Sequence, residues 1–152
     1  MRQYADILAF DKNGQLALVV EVKNKRGTSS DWAAEMRRNL FAHGLLPNAP
    51  YFLLALPDTF YLWKNTDNTS DPVEPMQKVN PQPFLQPYFG SSEITSNDLT
   101  GRSFNLVVTS WLNQVIRAQN TQELVNENQD WLISSGLYNQ LAGGHLALEA
   151  VA

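Results

Sequence analysis

The feature that most constrains the fold is a hairpin pattern near the start of the chain. Two apolar stretches, residues 4–10 and 15–23, flank the dipeptide Asn13-Gly14, which is typical of a tight β-hairpin turn. A two-residue loop places Asp6 directly opposite Glu21. A four-residue loop shifts the pairing by two and keeps both on one face, whereas an odd shift would separate them. The pattern therefore predicts two strands that carry two carboxylates on one face.

Asp6 and Glu21 form a predicted charged cluster with Lys23, which projects from the same face because it lies two positions after Glu21. Carboxylates on directly opposed strand positions repel each other unless a cation lies near them. Their oxygens and the Val22 carbonyl suit Mg²⁺, and a lysine beside the metal can hold the attacking water or stabilise charge on a phosphate. The alternative is an interstrand ion pair with a purely structural role. We favour the metal site, because the cluster lies on an otherwise apolar hairpin.

This arrangement resembles the motif of the PD-(D/E)XK nuclease superfamily, which has the restriction-endonuclease-like fold. The resemblance covers roughly residues 4–65 and is closest to the small stand-alone and restriction-subunit members. It implies that Asp6 and Glu21 bind Mg²⁺ or Mn²⁺ and that Lys23 is the catalytic lysine, while Ala5 replaces the proline of the motif. Families of this fold usually place a helix and a strand before the Asp strand. Only three residues precede Tyr4, so the resemblance leads us to expect either that this element is supplied from elsewhere or that the chain is a fragment.

Composition and charge narrow the class of protein. The chain has 152 residues, of which 43% are hydrophobic and 17% charged, as expected for one globular domain. It contains no cysteine, which excludes disulfides and thiolate metal sites and fits a cytoplasmic location. The net charge is −4, but residues 1–65 carry eight Lys/Arg against six Asp/Glu. Phosphate binding is therefore expected in the first half of the chain, and no membrane association is expected.

A basic loop and a helix follow the hairpin. Ser29 or Ser30 is expected to cap a helix over Asp31–His43, and Gly44 to end it. The candidate DNA-binding residues are the basic residues of this region: Lys25, Arg26, Arg37 and Arg38. Glu35 is a possible auxiliary residue of the metal cluster, although an exposed ion pair between Glu35 and Arg38 is an equal alternative.

Two further strands are predicted after this helix. The continuous apolar run Pro50–Leu56 predicts a strand that is covered on both faces and parallel to its predecessor, since a helix connects them. The segment Thr59–Lys64 predicts a short aromatic strand at the margin of the sheet. Its Tyr61 and Trp63 are expected to pack in the core rather than to stack on bases.

The rest of the chain is expected to cover this nuclease-like core of residues 1–65. Residues 66–100 predict a proline-rich wrapping arm without regular structure, and residues 101–142 predict helices that pack on the core. Within them, Arg102–Ala118 is strongly amphipathic and is expected to cover the sheet face that the first helix leaves open. Residues 143–152 are expected to form a loose tail.

These patterns together predict a single α/β domain with three α/β/α layers and a mixed four-stranded sheet. The expected function is metal-dependent hydrolysis of DNA phosphodiester bonds. A non-catalytic interaction module in a DNA-processing complex, with the same fold, is the alternative. The strand that carries Asp6 is expected to expose its outer edge, which predicts a symmetric homodimer.

Overall fold

A computed structural model describes residues 4–44, 46–64, 72–89, 101–125 and 128–151. Its strands are β1 (Tyr4–Phe10), β2 (Leu16–Val22), β3 (Tyr51–Ala55), β4 (Phe60–Lys64), β5 (Gln77–Val79) and β6 (His145–Val151). They form one sheet in the order β5-β4-β3-β2-β1-β6. β2 and β3 are parallel, and the other neighbours are antiparallel. The mixed α/β class is confirmed, but the sheet has six strands rather than the predicted four.

The β1–β2 hairpin has the predicted register over its central part. Ile7 pairs with Val20, and Ala9 pairs with Leu18. This is the pairing that a two-residue loop would give, and continuing it by one residue places Asp6 opposite Glu21.

The turn itself differs from the prediction, because it contains three residues. Asp11 N–H donates to the Gln15 carbonyl at 2.8 Å, and Gly14 has φ +80°. The Asp11 carboxylate stabilises this longer turn by accepting from the N–H groups of Asn13 and Gln15, each at 2.9 Å. The odd loop would shift the register, but a β-bulge with Ala17 as its extra residue shifts it back.

Helices cover both faces of the sheet. They are α1 (Ser30–Ala42), α2 (Gln82–Leu85), α3 (Gly101–Arg117), α4 (Thr121–Val125), α5 (Asp130–Ser134) and α6 (Leu137–Leu141). Trp32 and Met36 of α1 pack on the face that contains Phe52 and Trp63. The apolar side of α3 packs on the opposite face, which confirms the predicted cover by the helix over Arg102–Ala118. No helix within the described ranges is long and apolar enough to cross a bilayer.

Aromatic side chains fill the cores on both faces. On the α3 face, Phe60, Phe84 and Trp111 have neighbouring ring centroids 5.2–5.7 Å apart. On the α1 face, Tyr61 and Trp63 are 0% and 1% exposed. Their predicted packing role is therefore confirmed, and neither ring is available to stack on a base.

Two segments are more ordered than the sequence predicts. Within the expected irregular arm, residues 72–89 contain β5 and α2 together with a 3₁₀ turn at Gln86–Tyr88; residues 65–71 and 90–100 lie outside the described ranges. The expected loose tail instead forms β6, which pairs with β1 over its whole length. Backbone pairing with a distant strand stabilises this segment, and local sequence does not reveal such pairing.

The position of β6 also changes the basis for the predicted homodimer. Because β6 lies beside β1, the strand that carries Asp6 has neighbours on both sides. The exposed edge predicted for that strand is wrong, and the outer strand of the sheet there is β6. The homodimer stays a prediction.

Candidate functional site

Asp6 and Glu21 lie on the α1 face of two adjacent central strands. Alternation along β2 places Glu21 on the same face as Val19, and alternation along β1 places Asp6 on the face of Leu8. Val19 and Leu8 both belong to the core under α1. The two carboxylates thus occupy the end of an apolar surface, next to the loop that leads from β2 into α1.

The two acids replace part of the backbone pairing between their strands. The described β1–β2 pairing runs from Phe10 to Ile7, and beyond it the N–H of Val22 donates to Asp6 Oδ2 at 2.8 Å. In return, the backbone N–H of Asp6 donates to the Glu21 carboxylate. Side-chain oxygens therefore hold the strands together at the point where the regular pairing ends.

Glu21 is the electrostatically unusual residue of the site. It is 9% exposed, and burial, reinforced by the negative charge of Asp6, raises its pKa to about 7. The positive charge of Lys23 and the hydrogen bond from the Asp6 backbone act in the opposite direction. A carboxyl group with such a pKa exchanges its proton near neutral pH, which is typical of metal-binding and catalytic sites.

Lys23 connects the acid cluster to the surface. Its Nζ lies 3.9 Å from Glu21 Oε2, and its side chain is 41% exposed. Its backbone N–H donates to the Ala55 carbonyl at 3.1 Å, which extends the β2–β3 pairing and fixes the start of the side chain. The structure thus brings Asp6, Glu21 and Lys23 together, as the sequence predicts.

The donor set fits a small hard cation. Asp6 Oδ2 accepts a hydrogen bond from the Val22 N–H, so Oδ1 is the Asp6 oxygen that can coordinate a metal. The Glu21 carboxylate lies beside it. The N–H and C=O of one strand residue point to the same side, so the Val22 carbonyl also points towards β1. Among the described residues, no group of three or more Asp, Glu, His or Cys side chains could hold a metal. Two carboxylates and a carbonyl, completed by waters, suit Mg²⁺.

Two hydrogen bonds fix the basic loop next to this cluster. Gly27 N–H donates to Asp58 Oδ2 at 3.0 Å, and Thr28 Oγ1 lies 2.9 Å from the Tyr61 hydroxyl. The loop therefore follows the β3–β4 turn and the surface of β4. Asp58 cannot be recognised from the sequence as a partner of this loop, since its only local signal is the Pro57-Asp58 turn, which gives no indication of a distant partner.

The predicted DNA-binding residues occupy different environments. Lys25 is exposed, with its Nζ 5.4 Å from the centroid of the Trp32 ring, and Arg26 is exposed on the same loop. Arg38 forms a 3.2 Å ion pair with Glu35, which is the structural alternative named for this pair. No described contact joins Glu35 to the acid cluster.

Arg37 does not belong to an exposed basic surface. It is 3% exposed, and its guanidinium lies over the rings of Phe41 and Trp63 at 4.9 and 5.9 Å. Burial lowers its pKa. The assignment of Arg37 as a DNA-binding residue is therefore wrong for this structure, because a phosphate cannot reach its side chain.

Comparisons with other proteins add no assignment to this geometry. No protein-family model matches the chain, and neither a curated protein nor a solved structure matches it.

Proposed function

We propose that this chain is a divalent-metal-dependent endonuclease that hydrolyses phosphodiester bonds in DNA. Asp6, Glu21 and the Val22 carbonyl hold Mg²⁺ or Mn²⁺, and Lys23 is the catalytic lysine. The observation that carries the proposal is the position of Glu21, which is 9% exposed and faces a second carboxylate. Burial and Asp6 both disfavour its charged form, whereas a bound divalent cation would favour it.

The protein groups have distinct roles in this proposal. When bound, Mg²⁺ polarises a phosphoryl oxygen and makes a coordinated water more acidic. Asp6 and Glu21 are oriented by hydrogen bonds from backbone N–H groups. Metal ligands are commonly held in place by such supporting hydrogen bonds. Lys23 extends from beside Glu21 to the surface, where its ammonium can orient a water or neutralise charge that develops on the phosphate.

A non-catalytic interaction module is the second candidate, and two contacts favour it. Lys23 already lies 3.9 Å from Glu21, and Asp6 already accepts from Val22. Both acids therefore have internal partners, as a structural ion pair requires. In this alternative the cluster joins β1 to β2 and binds no metal.

Nicking of supercoiled plasmid DNA distinguishes the two candidates. We expect cleavage with Mg²⁺ or Mn²⁺ and none with EDTA. Asp6→Asn, Glu21→Gln and Lys23→Gln should each reduce the rate by at least about 100-fold, because each removes a metal ligand or a charge at the reacting phosphate. Glu35→Gln is the matched control, since it removes an exposed carboxylate outside the cluster.

Two results would contradict the nuclease proposal. One is cleavage that persists in EDTA, and the other is full metal-dependent activity in Glu21→Gln. Absence of cleavage by the wild-type protein on plasmid and on linear and single-stranded DNA would favour the interaction module.

A further inference from the structure

Two basic residues outside the predicted set lie at the same end of the sheet as the acid cluster. We propose that Lys78 and Arg102 bind phosphates of a DNA duplex, one from each face of the sheet. This inference rests on the proposed nuclease function and assigns it an extended binding surface. Neither residue forms an ion pair with any residue that the structure describes.

Lys78 is placed by strand register. Glu21 pairs with Leu54, Leu54 pairs with Tyr61, and Tyr61 pairs with Lys78, so these four residues form one row across the sheet. Lys78 is exposed, and its Nζ lies 6.0 Å from the centroid of the Tyr61 ring. Because Tyr61 belongs to the core under α1, Lys78 projects from the same face as Glu21.

The length of this row corresponds to several nucleotides of one DNA strand. Neighbouring strands lie about 4.8 Å apart, so three steps from Glu21 to Lys78 span about 14 Å. One DNA strand rises about 3.4 Å per nucleotide, so this distance corresponds to about four base pairs. Lys78 is therefore positioned to contact a phosphate several nucleotides away from a bond cleaved beside Glu21.

Arg102 approaches the same end from the opposite face. It is exposed in the first turn of α3, which packs on the face away from α1. The neighbouring Gly101 lies so close to the loop that a Cβ there would be 3.6 Å from Asn24 Cβ. Since Asn24 directly follows Lys23, the start of α3 flanks the catalytic lysine.

The charges of the described chain are distributed unevenly between the two ends of the sheet. The end next to the acid cluster carries five basic residues: Lys23, Lys25, Arg26, Lys78 and Arg102. It also carries five acids: Asp6, Glu21, Asp31, Asp58 and Glu149, the last of which faces Asp6 in the register of β1 and β6. The two counts balance there, although the whole chain has a net charge of −4, and a bound divalent cation would make this end positive. This end is therefore less repulsive to a polyanion than the chain as a whole.

Lys12 and Arg117 provide matched controls at the opposite end. Both are exposed, Lys12 in the β1–β2 turn and Arg117 in the last turn of α3. Arg102 and Arg117 thus lie on one helix but at its two ends. Replacing Lys12 and Arg117 removes the same charge as replacing Lys78 and Arg102, without touching the proposed surface.

The test is the salt dependence of DNA binding in EDTA, where no metal-dependent cleavage occurs. Binding of a fluorescent 20-base-pair duplex is followed by anisotropy across a range of salt concentrations. Each lost phosphate contact flattens the log–log slope by about 0.9, so we expect the Lys78→Gln/Arg102→Gln double variant to lose about 1.8. Lys12→Gln/Arg117→Gln should keep the wild-type slope. Lys78→Arg/Arg102→Lys should also keep it, because both positive charges remain.

Each outcome decides the inference separately from the nuclease proposal. Equal slopes for the two Gln double variants overturn the inference, as does wild-type protein without salt-dependent binding. If wild type cleaves DNA while the Lys78→Gln/Arg102→Gln variant keeps its slope and its KM, only the inference fails. If the slope falls as expected but no metal supports cleavage, the binding surface stands and the nuclease proposal fails.

Discussion

Asp6 and Glu21 each accept a hydrogen bond from the backbone of the other's strand. Asp6 Oδ2 accepts from the N–H of Val22 at 2.8 Å, and the Glu21 carboxylate accepts from the N–H of Asp6. The Asp6 carboxylate thereby takes a position that a backbone carbonyl of β1 would otherwise fill. These hydrogen bonds fix the acids next to each other despite their repulsion, and burial makes the ionisation of Glu21 part of the stability of the fold.

The pH dependence of stability should reveal the protonation of Glu21. Below its usual pKa of 4.5, Glu21 is protonated in both the folded and the unfolded state. Between pH 4.5 and about 7, the unfolded carboxyl ionises while the folded one keeps its proton, so stability falls as pH rises. Above the folded pKa of about 7, the loss levels off at no more than about 3 kcal/mol.

Glu21→Gln should remove this pH dependence. At pH 8 without metal, the variant should exceed wild type by up to about 3 kcal/mol in the free energy of unfolding, and at pH 4 the two should be similar. Urea unfolding at both pH values measures the difference, with Glu35→Gln as the exposed control. A clear loss of stability in Glu21→Gln at pH 8 would support a structural ion pair with Lys23.

Two substitutions of Asp6 should differ in their effect on the stability of the metal-free protein. Asp6→Ala removes the acceptor of the Val22 N–H, and leaving this partly buried donor without an acceptor costs about 1 kcal/mol, the lower end of the range for a buried donor. Asp6→Asn keeps an oxygen at that position and should retain most of the metal-free stability. Thermal unfolding in EDTA compares the two variants, and equal melting temperatures would show that the hydrogen bond contributes nothing measurable.

Divalent metal should stabilise the protein more at pH 8 than at pH 6. Metal binding must displace the proton from Glu21, so affinity rises as pH passes its pKa of about 7. With Mn²⁺ at 100 times its Kd, the expected stabilisation is about 2.7 kcal/mol. Differential scanning fluorimetry with a Mn²⁺ titration tests this, and an equal shift in Glu21→Gln would place the bound metal elsewhere.

Gly144 should be essential for the pairing of β6. A Cβ at this position would lie 1.8 Å from the Phe10 carbonyl oxygen, so Gly144→Ala must displace the chain where β6 begins. We expect a loss of about 1–3 kcal/mol, the range of a disruptive single substitution, together with faster proteolysis of the C-terminal segment. Gly14→Ala does not serve as a control because Gly14 has φ +80°, whereas Asn139→Ala changes a nearby exposed position of α6 without adding a Cβ. Wild-type stability in Gly144→Ala would contradict the observed pairing.

The acid cluster could be predicted from sequence because the face on which a strand residue lies depends only on whether the register shift is even or odd. Any even register brings Asp6 and Glu21 to one face, and the bulge at Ala17 restores that register despite an unpredicted three-residue turn. Capping was equally local, since Ser29 Oγ accepts from the Trp32 N–H at 3.1 Å. These features depend on neighbouring residues, for which sequence patterns are informative.

Features that depend on distant residues are not visible in the local sequence. The strand β6 forms because β1 offers a partner more than 130 residues earlier in the chain, and no local pattern around His145 indicates it. The burial of Arg37 contradicts the expectation from its positive charge. The sequence does contain a signal for it, since Ala33, Arg37 and Phe41 follow one another at four-residue steps and thus share a helix face.

The most direct test of the central claim is anomalous diffraction from a crystal soaked with Mn²⁺ at pH 8. The account predicts a single strong peak between Asp6 and Glu21, with carboxylate oxygens of both residues roughly 2.1 Å away, as expected for a hard divalent ion. The Val22 carbonyl should complete the protein ligands. Density without a peak at this position, with Lys23 Nζ bonded to both carboxylates instead, would contradict the metal site and the nuclease proposal that depends on it.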